Sequence, residues 1–271
     1  MWAFCILLKL GDVMFFENLW KEISTLNEVQ SIALAGSRAS EKYDEKSDYD
    51  LYIYCDTVPS DEVRKSILEK YCDYIELGNH FWELEDNCTL KNGIDIDILY
   101  RNIDTITEEL SSVVEKYNPH NGYTTCIWHN VLHSKILYDK NDKFKKMQDR
   151  FSVPYPEELK KNITRQNMNL LSGILPSYDK QITKALNRND LPSINHRISA
   201  FVESYFDIIF ALNKMTHPGE KRMVEYAKGY GKILPKNFEE NLTSLFSNMF
   251  SDKENTLLIL ENIVTEIKKV I

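Results

Sequence analysis

No C-x-x-C pair occurs in the sequence: its five cysteines, Cys5, Cys55, Cys72, Cys88 and Cys126, are scattered and odd in number. Such usage fits thiols serving as small apolar side chains in a reducing compartment, which argues against a structural zinc site and leads to the expectation of a cytoplasmic protein. An excess of basic charge is also missing. Lys and Arg number 33 against 41 Asp and Glu, a formal net charge of −8. A protein whose main work is gripping a nucleic-acid backbone needs clustered Lys and Arg, and the lysine-rich patches at 143–146 and 160–161 are too brief to form a basic track. No apolar run is long enough to span a bilayer. The apolar start, Met1 to Leu8, has no basic residue before it and no convincing cleavage site. It reads as a buried or partner-covered segment, with Met14 as an alternative start. Internal repeats and low-complexity linkers are absent. His80, His120, His129 and His133 lack metal-ligand spacing, so surface or packing roles are expected for them.

What is present suits folded cores: 43% of residues are hydrophobic and 11% aromatic, and 271 residues accommodate two domains of ordinary size. Apolar positions 15, 16, 19, 20, 23 and 26 have the spacing of one helical face. Short strand signals follow at Ser31–Ala35, Asp48–Tyr54, Gly93–Tyr100 and Lys135–Tyr138. Between them, Ser60 with Asp61 and Glu62 predicts a helix through about Tyr74. Thr105 and Glu108 have capping-box spacing for another. From Pro156 onward the patterns are helical, strongest over Asn195–Lys214, then near Pro235–Phe250 and Lys253–Val270. The change of character falls between Asp139 and Pro156, giving expected domains of 1–150 and 151–271.

The chemistry-bearing stretch is Leu34-Ala-Gly36-Ser37-Arg38, then, with ten residues between Ser37 and Asp48, Asp48-Tyr-Asp50-Leu51. A strand running into Gly36 lets backbone approach a ligand closely. A helix starting there, with the Ser37 hydroxyl and the Arg38 charge, suits phosphate oxygens. Arg38 reads equally as a structural ion-pair partner, while Lys42 and Lys46 read as solvated loop charges. Asp48 and Asp50 are two apart on a strand, so both carboxylates leave the same face. Side by side they repel unless a cation sits between them, and Mg²⁺ prefers oxygen ligands with a triphosphate as co-ligand. The competing reading of Asp48 and Asp50 is a solvated edge strand.

Gly36-Ser37, the spacer and Asp48-x-Asp50-Leu51 together resemble the signature of the DNA-polymerase-β-type nucleotidyltransferase superfamily. The resemblance implies a third aspartate from a later strand. Asp97 is the choice within Gly93-Ile-Asp95-Ile-Asp97-Ile-Leu-Tyr, being mid-strand and followed by an apolar run and Arg101, with Asp95 in reserve. It also implies the fold class, an α/β (α+β) nucleotidyltransferase core with a short mixed sheet followed by an all-α helical bundle. Two Mg²⁺ ions held by Asp48, Asp50 and Asp97 would bridge to the phosphates of ATP or another nucleoside triphosphate, with Gly36, Ser37 and Arg38 at the cradle. An acceptor hydroxyl would attack the α-phosphorus and pyrophosphate would leave.

Phe201-Val-Glu-Ser-Tyr-Phe, Phe210-Ala-Leu-Asn-Lys and Pro218-Gly-Glu-Lys look similar to the antibiotic-modifying nucleotidyltransferases (aminoglycoside or lincosamide type) and their uncharacterised bacterial relatives. That implies a small hydroxylated acceptor and a link to antibiotic resistance; the net negative charge favours a cationic one. On the Asn195 helix, His196, Glu203, Asp207 and Lys214 share a stripe. It reads either as a solvated face or as lining of the active-site cleft, with Glu203 or Asp207 binding the acceptor and Lys214 and Lys221 reaching the triphosphate. The rival readings are transfer to RNA or to a protein side chain, and a non-catalytic nucleotide-binding regulatory module.

Overall fold

A computed structural model describes residues 14–39, 47–81 and 83–271. The apolar N-terminal run, Cys5, Lys42 and Lys46 lie outside the described residues. The chain divides into two compact units. The first takes the residues up to Glu109 and adds Asn130–Ser152; the second takes Leu110–His129 and Val153–Ile271. The expected single cut at 150 is thus replaced by an exchange, in which Leu110–His129 packs with the later helices.

The first unit opens with helix α1 (residues 14–23). There follow β1 (Val29–Ala35), the short α2 (Gly36–Ala39), β2 (Tyr49–Cys55), α3 (Asp61–Tyr71), β3 (Cys72–Asn79), β4 (Glu85–Leu90), β5 (Asp95–Arg101) and α4 (Ile103–Leu110). Further along come the end of α5 (Cys126–His133), whose first four residues belong to the second unit, then β6 (Lys135–Asp139) and α6 (Lys143–Phe151). The six strands form one mixed sheet in the order β3-β4-β5-β2-β1-β6. Only β2 and β5 run parallel; the other pairs are antiparallel. Alternation decides the two faces. Ile32, Leu34, Leu51, Ile53, Ile96 and Ile98 point into a core shared with Phe16, Leu19 and Ile23 of α1 and Ile67 and Leu68 of α3. Each such side chain contributes about 1.5–3 kcal/mol on full burial. The opposite face therefore receives the intervening residues, among them Asp50 and Asp97.

Two boundaries differ from the sequence reading. Helix α3 begins as expected, with Ser60 accepting from Val63 N at 3.5 Å, but it stops at Tyr71. From Cys72 the chain is strand, because Tyr74 and Glu76 pair with Thr89 and Asn87. Helix α4 is capped by Asn102, whose Oδ1 accepts from Asp104 N at 2.9 Å and Thr105 N at 3.1 Å; it therefore begins before the expected Thr105–Glu108 box.

The second unit is built around α9 (Leu191–Leu212), joined by α7 (Glu157–Ser172), α8 (Tyr178–Asn187), α10 (Met223–Tyr230), α11 (Phe238–Asn248) and α12 (Lys253–Lys268). Asp190 caps α9, and Pro192 sits in its first turn, where a missing N–H costs nothing. Every residue from Ser204 to Leu212 is buried. A helix apolar on all sides belongs at the centre of a bundle. No described helix is long and apolar enough to cross a membrane.

Candidate active site

The parallel register of β2 with β5 sets the site. Asp50 lies directly opposite Asp97, Tyr52 opposite Leu99 and Tyr54 opposite Arg101. In-register neighbours on parallel strands project from the same face about 5 Å apart. Two carboxylates at that spacing repel by roughly 3–4 kcal/mol at an effective dielectric of 20. Each has a partner on its far side. Asp50 reaches over β1, where its Oδ2 would stand 1.7 Å from a Cβ built on Gly36. Asp97 reaches over β4, where its Oδ1 accepts from Asn87 Nδ2 at 2.7 Å. The two side chains therefore lean apart, the arrangement that lowers their repulsion.

Gly36 is glycine for two reasons. Its φ of +60° lies in the left-handed region, and the space a methyl group would fill holds the Asp50 carboxylate. Arg38, left open between two roles by the sequence, is drawn to backbone: its Nε donates to Ser47 O at 2.6 Å and to Asp48 O at 3.2 Å. The guanidinium lies 4.0 Å over the Tyr49 ring, which stacks on Phe16 at 4.0 Å. It thus tethers the chain entering β2, where Asp48 sits.

Beside this pair is a pocket of about 590 Å³ lined by Asp48, Tyr74, Asn87, Thr89, Asp95 and Asp97, among others. Small-molecule sites commonly fall in that size range. Asp95 is exposed and accepts from Thr89 Oγ1 at 2.8 Å; the neighbour that the register sets across from Asp50 is Asp97. Glu85, on the same face of β4, is raised in pKa by burial and by the charge of Asp97. Among the described residues, no group of three or more His, Cys, Asp or Glu is gathered closely enough to hold a metal ion. The donor set nonetheless fits Mg²⁺, which is usually bound by one or two carboxylates plus substrate phosphates rather than by a protein cage. Asp50 and Asp97, adjacent across the sheet, supply such a pair of hard oxygen donors.

Asn87 and Thr89 escaped the sequence reading because β4, Glu85-Asp-Asn-Cys-Thr-Leu90, is too polar to read as a strand, and Tyr74 because it read as the end of a helix rather than as part of β3. A signal was present. Asn92-Gly93 is a strong hairpin dipeptide, and Gly93 N donates to Leu90 O at 2.7 Å to close the turn between β4 and β5.

The remaining expected residues all belong to the second unit. Asp207 does not share an exposed stripe with His196 and Glu203. It is 1% exposed, and its carboxylate accepts from Thr124 N at 3.0 Å, Thr124 Oγ1 at 2.6 Å and Asn167 Nδ2 at 3.0 Å. Burial raises its pKa to about 6. So enclosed, Asp207 organises the bundle and cannot touch a cationic acceptor. Glu203 is half-buried against Gly122 and is raised in pKa by that burial. Lys214 lies two residues past the end of α9 at a φ of +53° and pairs with Glu157, and Lys221 is exposed ahead of α10.

Two family models match parts of the chain. Residues 16–117 match the nucleotidyltransferase domain, and residues 125–223 match a domain of unknown function, DUF4037. The segment carrying Gly36, Asp48, Asp50 and Asp97 is therefore a nucleotidyltransferase domain. Similar solved structures include a nucleotidyltransferase-like protein from Exiguobacterium sibiricum, 12% identical, covering 91% of this chain and 72% of that one, with a TM-score of 0.43. Another is an aminoglycoside 6-adenyltransferase from Bacillus subtilis, 11% identical, covering 93% and 88%, with a TM-score of 0.29. A CCA-adding enzyme in complex with ATP is 9% identical, covering 97% and 81%, with a TM-score of 0.30. No curated protein matches the chain in sequence.

Proposed function

We propose that this chain moves AMP from ATP onto a hydroxyl group of a small, cationic, aminoglycoside-like acceptor and releases pyrophosphate. The observation that carries the reading is the in-register placement of Asp50 beside Asp97 on one sheet face, with Asp48 and Asp97 lining the same pocket. In this reading Asp48, Asp50 and Asp97 would hold two Mg²⁺ ions, which would supply charge neutralisation and Lewis-acid polarisation at the phosphates. The chain's own residues do the rest. Gly36 and Ser37 admit the phosphates to the backbone at the end of β1, and Asp97 takes the proton of the attacking hydroxyl. The new bond joins the acceptor oxygen to the α-phosphorus while the bond to the bridging α–β oxygen breaks. Positioning and charge neutralisation account for the acceleration. A net charge of −8 favours a cationic acceptor over nucleic acid.

The deciding experiment incubates the protein and Mg²⁺ with α-labelled ATP and three acceptors in parallel, namely an aminoglycoside panel, transfer RNA and a protein lysate. Labelled aminoglycoside with stoichiometric pyrophosphate supports the proposal. Label confined to RNA or protein replaces the acceptor, and an Asp50→Asn, Asp97→Asn double variant that labels as fast as the native chain removes the proposed catalytic site.

A further inference from the structure

Asp97 stands at the end of a directional chain of hydrogen bonds that crosses β4 and β3. Asn87 Nδ2 donates to Asp97 Oδ1 at 2.7 Å, Asn79 Nδ2 donates to Asn87 Oδ1 at 2.6 Å, and Asn79 Nδ2 donates also to Glu76 Oε2 at 3.1 Å. Glu76 accepts a further bond from the Tyr74 hydroxyl. The antiparallel pairing of β3, β4 and β5 puts these residues in a row, since Glu76 faces Asn87 and Asn87 faces Asp97.

The polarity of this row is determined by its ends. An ionised carboxylate only accepts, so Glu76 requires the NH₂ side of Asn79. The second hydrogen of that NH₂ then meets Asn87, which must present its carbonyl oxygen. Asn87 is left with its NH₂ toward Asp97, where a carboxylate again accepts. Flipping either amide would set two donors or two acceptors against each other. The arrangement is unique, and it holds the Asp97 side chain on the β4 side, away from Asp50.

We propose that Asn87 is a positioning residue for Asp97, fixing the carboxylate in the orientation from which it serves the divalent metal and the nucleotide, with Asn79 fixing Asn87 in turn. This rests on the nucleotidyl-transfer reading of the site given above. Partners of this kind, hydrogen-bonded to a metal-binding carboxylate, typically account for 10–100-fold in metal affinity or activity. A polar pair on a half-exposed sheet face contributes little to folding by comparison.

The test measures binding of a non-hydrolysable ATP analogue, once with Mn²⁺ and once with EDTA, to the native chain, Asn87→Leu, Asn79→Ala and Asp97→Asn. The expected result is that Asn87→Leu weakens the Mn²⁺-supported component by about 10–100-fold and leaves the EDTA component unchanged. Asn79→Ala, which keeps Asn87 itself, weakens it in the same direction by a smaller factor. If Asp97→Asn loses the Mn²⁺-supported component while Asn87→Leu and Asn79→Ala stay within twofold of the native chain, the positioning role is overturned and the metal reading stands. A native chain that binds the analogue equally with Mn²⁺ and with EDTA overturns both. Should Asn87→Leu not fold, Asn79→Ala carries the test alone, with the same two outcomes.

Discussion

The Oδ2 atom of Asp50 occupies the space that a side chain on Gly36 would take, 1.7 Å from the position of a Cβ. Two residues at opposite ends of the sequence motif are thus one steric unit: the strand-end glycine exists so that the aspartate on the next strand can fold over it. The spacing from Gly36-Ser37 to Asp48-x-Asp50 expresses that contact.

Gly36→Ala is accordingly expected to act on Asp50. The left-handed backbone alone costs about 1–2 kcal/mol for a non-glycine residue, and the displaced carboxylate costs function on top. Catalytic groups moved by about 1 Å lose on the order of a hundredfold in rate. Steady-state kinetics and thermal unfolding together check this. A Gly36→Ala chain with native turnover would disprove the steric coupling.

Asp50→Asn and Asp97→Asn are expected to separate activity from stability. Each removes one of two like charges about 5 Å apart across adjacent strands, so folding should be unharmed or slightly improved. Turnover should fall by roughly a hundredfold or more, the scale of losing one electrostatic stabiliser of a transition state. Melting temperature measured beside turnover tests the pair; a parallel loss of both would mark these carboxylates as structural.

Away from the site, Arg64 and Asp86 form a buried ion pair at 2.5 Å, with side-chain exposures of 3% and 0%. Asp86 also accepts from the Tyr100 hydroxyl at 2.9 Å and from Gly78 N at 2.9 Å. Removing Asp86 leaves Arg64 with Asp61 alone, at 2.5 Å, and frees the Tyr100 hydroxyl and Gly78 N, so Asp86→Ala should destabilise the first unit by about 1–3 kcal/mol. Urea unfolding of the variant measures it, and a loss under 1 kcal/mol would contradict the assignment.

The second unit holds two buried groups that titrate in opposition. Burial raises Asp207 to about 6 and lowers His217 to about 3. For Asp207 the folded state binds more protons than the unfolded one between its ordinary value near 3.8 and about 6. Its contribution to stability is therefore full below that window and lost as pH rises through it. For His217 the unfolded state binds more protons between about 3 and 6.5. That contribution is present above the window and lost as pH falls. From pH 4 to 6 the two nearly cancel, each changing the folding constant by about tenfold per pH unit.

Single substitutions should expose each arm. Relative to the native chain, His217→Gln should gain stability on acidification from pH 6 to 4, and Asp207→Asn should lose it. Denaturant titrations across that range, followed by the fluorescence of buried Trp128, provide the measurement. Variants whose pH profiles run parallel to the native one would refute the opposition.

Much of this molecule was legible beforehand. Ser31-Ile-Ala-Leu-Ala reads as a short apolar run, while Asp48-Tyr-Asp-Leu-Tyr-Ile-Tyr alternates, and period-two alternation assigns each side chain to a sheet face without knowledge of the neighbours. The mixed sheet, the helical second half and the grouping of Gly36 with two aspartates follow from local pattern of this kind. The bundle's central helix was legible too, through its apolar spacing, although its last turns proved buried on every side.

The sequence by itself carried the resemblance to the nucleotidyltransferases, because the motif behind it lies in residues close together in the chain, within the matched segment 16–117. The tertiary structure decided what depends on pairing between distant segments. Strand register set Asp97 rather than Asp95 across from Asp50, and a polar strand with no hydrophobic rhythm of its own brought Asn87 to Asp97. Packing on all sides of α9 withdrew Asp207 from solvent, and the backbone carbonyls before β2 drew in Arg38. Register and burial are sums over contacts that no short window of sequence contains.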